Sequence, residues 1–225
     1  MSIDKRVNSA AEALKDVSDG ATVLISGFGG AGFPNVLIRA LRERGAKDLT
    51  LVVNSATHRY SLTHELLEAG LVRQVICSAA RGHQKEPTAF EKLWMAGKIE
   101  LTCLPQGTMT ECIRAGGAGI AAFYTPVGFG TELTKGKEVR RFGERDYVLE
   151  QAIAGDLALV RADTADRYGN LTFRYAQANF GPVMATAAKL AVAEVRAVED
   201  APIEHTRVQL PGIYVDRIVA VGDVR

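Results

Sequence analysis

Cysteine and tryptophan are scarce in this 225-residue sequence, with three of the first and one of the second. Cys77, Cys103 and Cys112 include no Cys-x-x-Cys pair and have no histidine at metal-ligand spacing. That excludes the usual signatures of a disulfide framework or a zinc site, so reduced buried thiols and no metal are expected. An excess of charge is also lacking: the formal net charge is +1, with no long run of either sign. The patterns of nucleic-acid and membrane-surface binders are therefore absent, and neither partner is expected. No apolar run reaches the ~20 residues of a membrane span. MSIDKRVNSAAEALKDV has no apolar segment of the signal-peptide kind, so a cytoplasmic protein is expected. Repeats, linkers and low-complexity stretches are missing too, which leads to the expectation of one domain over 1–225.

What is present is an ordinary globular composition, 47% hydrophobic and 24% charged, organised around Asp19–Pro34, DGATVLISGFGGAGFP. Thr22–Ile25 is a short β-branched run, read as a buried strand. Ser26, Gly27, Phe28, Gly29, Gly30, Ala31 and Gly32 follow as a glycine loop, and Pro34 opens an amphipathic helix over 34–44. A strand feeding a glycine loop and a helix N-terminus is one way α/β proteins present backbone N–H groups to phosphates or carboxylates. Gly27, Gly29 and Gly32 also satisfy the G-x-G-x-x-G dinucleotide pattern. Two residues argue against that reading. Pro34 places Gly32 outside the helix, where a dinucleotide site has its third glycine inside it. The next strand, Leu49–Val53, ends in Asn54, where a NAD site has a carboxylate for the ribose. A ligand loop and a plain tight turn both remain open on this stretch alone.

Val7, Ala10, Ala11, Leu14 and Val17 sit at helical spacing and predict a helix over 4–17. Gly45 ends the helix after the glycine loop. A helix around Leu62, Leu66 and Leu67 then leads to a strand over Val72–Cys77. A helix opened by Pro87 leads to a strand over Ile99–Leu104, and a helix over 108–115 follows. This alternation predicts an α/β fold: an open, mostly parallel sheet covered by helices on both faces, with a β-rich C-terminal part. Residues 116–150 break the rhythm, with five glycines before Thr131 among Phe123, Tyr124, Pro126 and Phe129, and read as a functional loop. A hairpin around Gly143, a strand over Leu157–Val160 and a turn at Asp166–Asn170 come next. A short strand at Leu171, a helix over Pro182–Lys189 and strands over Leu190–Val195 and Ile213–Val221 complete the chain.

No nucleophile elbow or Ser/His/Asp set is visible. Glu111 stands three residues before Arg114 and reads as half of an intrahelical ion pair. Glu132, after the glycine–aromatic stretch, is a candidate acid. Asn54 and Gln106 both follow the carboxyl ends of predicted parallel strands, where open α/β sheets collect ligands. Their neutral amides suit a carboxylate or a thioester oxygen, or else they are satisfied loop amides.

DGATVLISGFGGAGFP resembles the signature of the family I CoA-transferases, with Ser26 in place of the first glycine of a Gly-Gly pair. The resemblance continues through LTLVVNSA, AGKIEL, LPQGTMTECIRAGGAGIAAFYTP, GFGT, YVLE, DRYGNLTFR and NFGPVMATAAK. It is greatest to the A (alpha) subunits of 3-oxoadipate and 3-oxoacid CoA-transferases. The resemblance implies transfer of CoA from succinyl-CoA or another acyl-CoA to a 3-oxoacid such as 3-oxoadipate or acetoacetate. The implied route is ping-pong, through a glutamyl-CoA thioester. It places the reacting glutamate in a Ser-Glu-Asn-Gly motif of a partner B (beta) subunit; no Glu-Asn-Gly occurs in these residues, so no catalytic residue is expected in this chain. It implies an alpha2beta2 heterotetramer, a CoA thioester as substrate and no permanently bound cofactor. It assigns Ser26–Gly32 to CoA, and Asn54 and Gln106 to the acyl and oxyanion side. Ser55, Thr57 and the segment THRYSLTHELLEAG depart from common members. A CoA-ester hydrolase or lyase using Glu132, and a non-catalytic acyl-CoA-binding protein, are the alternatives.

Overall fold

The computed structural model describes residues 3–222. The apolar runs become strands of one sheet: β1 (Thr22–Ile25), β2 (Leu49–Ser55), β3 (Val72–Ala79), β4 (Glu100–Cys103), β8 (Gly155–Asp166), β10 (Ala188–Glu199) and β11 (Arg217–Ala220). These seven are parallel, in the order β11-β10-β8-β1-β2-β3-β4, and β9 (Leu171–Thr172) adds an antiparallel pairing to β8. A separate antiparallel sheet, β5-β7-β6, is built from β5 (Ala122–Thr125), β6 (Val139–Phe142) and β7 (Arg145–Gln151). The expected hairpin around Gly143 is its β6–β7 half. The C-terminal strands β8, β10 and β11 belong to the main sheet.

The strands read as continuous apolar runs because both faces are covered. Val23, Ile25, Leu51 and Val53 point into a core shared with Leu14, Leu37, Leu41, Leu66 and Phe90. Leu24 and Val52, one residue out of phase, enter a second core with Met109, Ile113 and Met184. The first core is supplied by α1 (Ala10–Ala13), α2 (Asn35–Arg44), α3 (Thr63–Glu68) and α4 (Ala89–Met95), and the second by α5 (Gln106–Gly117) and α6 (Gly181–Thr186). Local signals set the helix ends. Gly45 closes α2 in the left-handed conformation at φ 74°, its N–H reaching Leu41 and Arg42 carbonyls. Thr88 and Glu91 form a reciprocal capping box that starts α4.

Three expectations are corrected. The helix expected over 4–17 is the single turn α1, capped by the Ser9 hydroxyl. Residues before it run beside β11 instead, with Val7 N–H donating to Ile218 O at 3.0 Å and Ile218 N–H to Lys5 O at 2.8 Å. An open sheet edge offers this segment more backbone hydrogen bonds than an isolated helical turn would. The helix over Pro182–Lys189 is shorter, since Ala188 and Lys189 already belong to β10. The last strand holds only Arg217–Ala220, because Gly212–Tyr214 forms a 3₁₀ turn.

Cys77 and Cys112 are buried, and desolvation pushes their thiols up to about 12 and about 11. Cys103 is half-buried and pairs in register with Cys77 across β3 and β4. No helix among the described residues is long and apolar enough to cross a membrane, and no three His, Cys, Asp or Glu side chains among them gather as metal ligands.

Candidate functional site

The strand order reverses at β1: successive strands step one way through β2, β3 and β4, and the other way through β8, β10 and β11. The crevice at the carboxyl ends of β1 and β8 is therefore the sheet's switch point, where open α/β folds bind ligands. The glycine loop leaves the sheet there. Ser26 N–H still bonds Leu159 O on β8 at 3.0 Å. The buried Ser26 hydroxyl donates to Gly32 O at 2.7 Å and accepts from Arg161 N–H at 3.2 Å, tying the loop's two ends together. At the tip, Phe28 and Ala31 exchange two backbone hydrogen bonds of 3.0 and 3.1 Å across Gly29 (φ 62°) and Gly30 (φ 100°). These angles make a type I′ turn, which needs positive φ at both central positions.

The base of the loop needs glycine for space. A Cβ on Gly27 would lie 2.1 Å from the Phe33 ring, and one on Gly32 would lie 2.5 Å from both the Asn179 amide nitrogen and Gln177 O. At Gly29 the same atom meets open space. The Gly32 contact arises because Asn179 clamps the loop. Its Oδ1 accepts from Gly27 N–H (3.1 Å) and Phe180 N–H (2.7 Å), and its Nδ2 donates to Ala31 O (3.1 Å) and Ala176 O (2.9 Å). Sequence reasoning did not single out Asn179. The one available signal was its place ahead of Phe-Gly-Pro, which says nothing of a loop 152 residues away. Gly29→Ala is expected to cost about 1 kcal/mol through its left-handed backbone alone. Gly32→Ala adds a collision with backbone and should cost roughly 2–5 kcal/mol. Thermal melting of the two variants checks this, and equal melting temperatures would refute the difference.

The reading of a helix N-terminus open to an anion is corrected. Pro34 provides no side-chain cap to α2. Instead the Leu37 N–H donates to Glu194 Oε2 at 3.0 Å, and the same carboxylate accepts from Arg161 Nη1 at 2.8 Å. A buried carboxylate from β10 thus already occupies the positive end of α2.

Asn54 and Gln106, distant in sequence, are brought into contact. Gln106 Nε2 donates to Asn54 Oδ1 at 2.7 Å, and Ser78 Oγ donates to the same oxygen at 2.9 Å. The single Ser78 hydroxyl proton is shared with the Asn54 backbone O, also at 2.9 Å, so the Gln106 amide is the main partner holding the buried Asn54 side chain. Its Nδ2 has no hydrogen-bond partner among the described residues. Asn54 lines a cavity of about 10 Å³ together with Ser26, Gly27, Phe33, Ser55 and Ser61. The loop base and the carboxyl end of β2 therefore enclose one oriented amide donor, and Gln106 holds it in place.

The segment after Thr57 packs over this site. The His58 ring packs against Phe33 at a 43° tilt with ring centroids 4.5 Å apart, and Tyr60 lies against Gly30. Asn35 holds the segment, donating to Tyr60 O at 2.9 Å and accepting from Leu62 N–H at 3.0 Å. Burial and, secondarily, the Arg59 charge hold the His58 imidazole below its ordinary pKa. Of the two acids weighed from sequence, Glu111 pairs with Arg114 at 2.8 Å as expected. Glu132 has a side chain 90% exposed, 3.7 Å from Lys135.

The profile of the family described as Coenzyme A transferase matches residues 7–221. The chain is 46% identical over 221 residues to the A (alpha) chain of the 3-oxoadipate CoA-transferase of Pseudomonas putida, covering 98% of this chain and 95% of that one. It is 45% identical to the corresponding chain of the succinyl-CoA:3-ketoacid coenzyme A transferase of Xanthomonas campestris pv. campestris strain B100, covering 96% and 88%. Its fold is similar to the crystal structure of an acyl-CoA transferase of Escherichia coli O157:H7 solved as a thioester complex with CoA. The TM-score is 0.83 at 25% identity; the match covers 99% of this chain and 48% of that one, so this chain spans about half of the larger protein.

Proposed function

This chain belongs to the coenzyme A transferase family, and on that premise we propose that it is the alpha subunit of an enzyme moving CoA from succinyl-CoA to a 3-oxoacid such as 3-oxoadipate or acetoacetate. The observation that carries the reading is the Asn54 amide, oriented by Gln106 and Ser78 at the carboxyl end of β2 beside the glycine loop. A neutral donor there can stabilise an oxygen that gains negative charge without competing for the substrate's carboxylate. The Pseudomonas and Xanthomonas relatives, which this chain covers almost end to end, support the substrate class.

The chemistry takes its nucleophile from a partner beta subunit, whose glutamate carboxylate attacks the acyl carbon of the thioester and expels CoA thiolate. The thiolate then attacks the glutamyl carbonyl of the resulting anhydride, releasing the acid and leaving glutamyl-CoA. The acceptor carboxylate repeats these two steps in reverse, leaving as its CoA ester and restoring the glutamate. At each attack a carbonyl oxygen becomes an oxyanion, and Asn54 Nδ2 is the donor assigned to it. Ser26–Gly32 form the wall along which the CoA arm runs, and the CoA thioester is substrate, not a resident cofactor. The alpha and beta chains are proposed to assemble as an alpha2beta2 heterotetramer. Glu132, the acid a hydrolase reading requires, faces solvent and pairs with Lys135, so no observation favours that alternative.

The test is reconstitution. The purified chain is expected to transfer no CoA from succinyl-CoA to labelled 3-oxoadipate, and an equimolar beta partner should restore turnover. Robust transfer by the chain alone would overturn the division of labour. Release of free CoA with no labelled ester formed by the complex would replace a transferase with a hydrolase.

A further inference from the structure

The segment from Pro126 to Thr134, between β5 and β6, is part of the stretch expected from sequence to be a functional loop, and none of the steps above uses it. Its own hydrogen bonds order it. Gly128 O accepts from Thr131 N–H at 3.0 Å and from the Thr131 and Thr134 hydroxyls, both at 2.7 Å. Thr134 N–H reaches Thr131 O at 3.1 Å, and Val127 N–H reaches Thr125 Oγ1 at 3.2 Å. Thr134 is buried and anchors the loop at its base. The tip nevertheless turns apolar side chains to solvent: Val127 is 47% exposed, Phe129 45% and Leu133 42%. A single exposed apolar residue needs no explanation, but three within seven residues of one ordered loop point to a partner. Glu132 and Lys135, 3.7 Å apart and open to solvent, stand beside them as charged groups do at an interface rim.

The loop lies against the site. A Cβ on Gly128 would meet the Pro105 ring at 3.8 Å. Pro105 immediately precedes Gln106, whose amide holds Asn54. No carboxylate lines the pocket around Asn54. The transfer therefore needs one carried in from outside, by a body that settles close to Gln106. This chain spans about half of the Escherichia coli acyl-CoA transferase whose fold it shares, so about half of that protein has no counterpart here. Because the loop is already ordered, an incoming partner does not have to fix its conformation. Its apolar side chains are then buried at little cost in entropy.

We propose that Val127, Phe129 and Leu133 form the seat on which the beta subunit docks, and that this seat brings its glutamate to the Asn54 amide. The proposal rests on the transferase reading above. Pro105 backs the loop and Gln106 opens the helix that follows, so the docking seat and the Asn54 donor share one support.

The experiment mixes the full chain, as wild type, Phe129→Ser or Leu133→Ser, with purified beta chain and measures association by sedimentation. Each substitution is expected to raise the dissociation constant about ten- to a hundredfold, as the loss of an interface anchor does. Phe129→Leu, which keeps an apolar anchor, should recover most of the affinity. The melting temperature of each free chain should stay within about two degrees of wild type, because the substituted side chains face solvent. With beta chain in excess, kcat and the succinyl-CoA KM should return toward wild type, since only assembly is impaired. Unchanged association would overturn the proposal. Weaker association matched by a lower melting temperature would also overturn it, and make the loop a packing element. Normal association with a raised succinyl-CoA KM would overturn it in favour of a wall of the substrate pocket. Association is read without turnover, so the two readings stay separate. Variants that assemble poorly, beside a wild-type complex that assembles but transfers no CoA, would sink the transfer reaction and leave the docking seat. Active transfer with unaltered assembly would do the reverse.

Discussion

Asn54→Asp is expected to lower kcat of the reconstituted transferase by about a thousandfold, and Asn54→Ala by roughly ten- to a thousandfold. The geometry explains the order. Gln106 Nε2 and Ser78 Oγ reach Asn54 Oδ1, so an aspartate would keep one oxygen there and put the other where Nδ2 now stands, the side on which the proposed oxyanion would lie. A negative oxygen would then replace the Nδ2 donor next to a carbonyl that is itself becoming negative. Alanine removes the donor without adding charge. Both losses belong to the transition state, so kcat should fall further than KM rises. Gln106→Ala is expected to behave differently from an oxyanion donor. Its amide nitrogen is spent on Asn54, so the loss should be smaller and should disappear in an Asn54→Ala background, where there is nothing left to orient. Steady-state kinetics of the four complexes checks this. Wild-type turnover by Asn54→Asp would make the position scaffold.

The largest expected effect on stability is at Glu194. Its side chain is 2% exposed, yet it bonds both the buried Arg161 guanidinium and the N-terminus of α2. Glu194→Ala leaves a buried cation unpaired and a helix donor unsatisfied, and should cost about 3–5 kcal/mol. In a chain of this size that lowers Tm on the order of 10 °C. Replacing both partners together, with Glu194→Leu and Arg161→Met, should recover much of the loss, because the cost lies in the orphaned charge. Thermal melts of both variants decide it, and a Glu194→Ala melt within a degree of wild type would refute the role.

The pH dependence follows with a definite sign. Burial raises the Glu194 carboxyl above the ordinary range, although Leu37 N–H and Arg161 pull the other way. The fold thus binds that proton more tightly than the unfolded chain does, and this group does not drive acid unfolding. Asp156 and Asp163 do, since hydrogen bonds from Lys189 and Arg196 hold them low. Their contribution is present above the unfolded value of about 3.9 and is lost as pH falls through their lower folded values.

The sequence by itself determined the parts of this protein that depend on neighbours in the chain. Thr22–Ile25 and Leu49–Val53 are legible as strands because a residue buried on both sides leaves no polar alternation. Gly45 marks the end of α2 because few other residues accept a left-handed backbone. The glycine tip of the loop was legible for the same reason, and Asn54 and Gln106 were legible as neutral amides at strand ends, although Asn54 stands inside β2 and Gln106 opens α5. The boundaries that failed lie where a local preference met a distant competitor, as at residues 4–8, which β11 draws into its edge.

Only the tertiary structure decided what surrounds those parts. Strand order sets β8 beside β1, and this brings Asn179 onto a loop 152 residues away and Glu194 onto a helix N-terminus 157 residues away. It also turned two separate candidates, Asn54 and Gln106, into one donor and its support across 52 residues. Helix and turn propensities act through hydrogen bonds spanning about four residues. A contact between strands depends on which edges meet when both apolar faces are buried at once, and no short stretch of sequence carries that information.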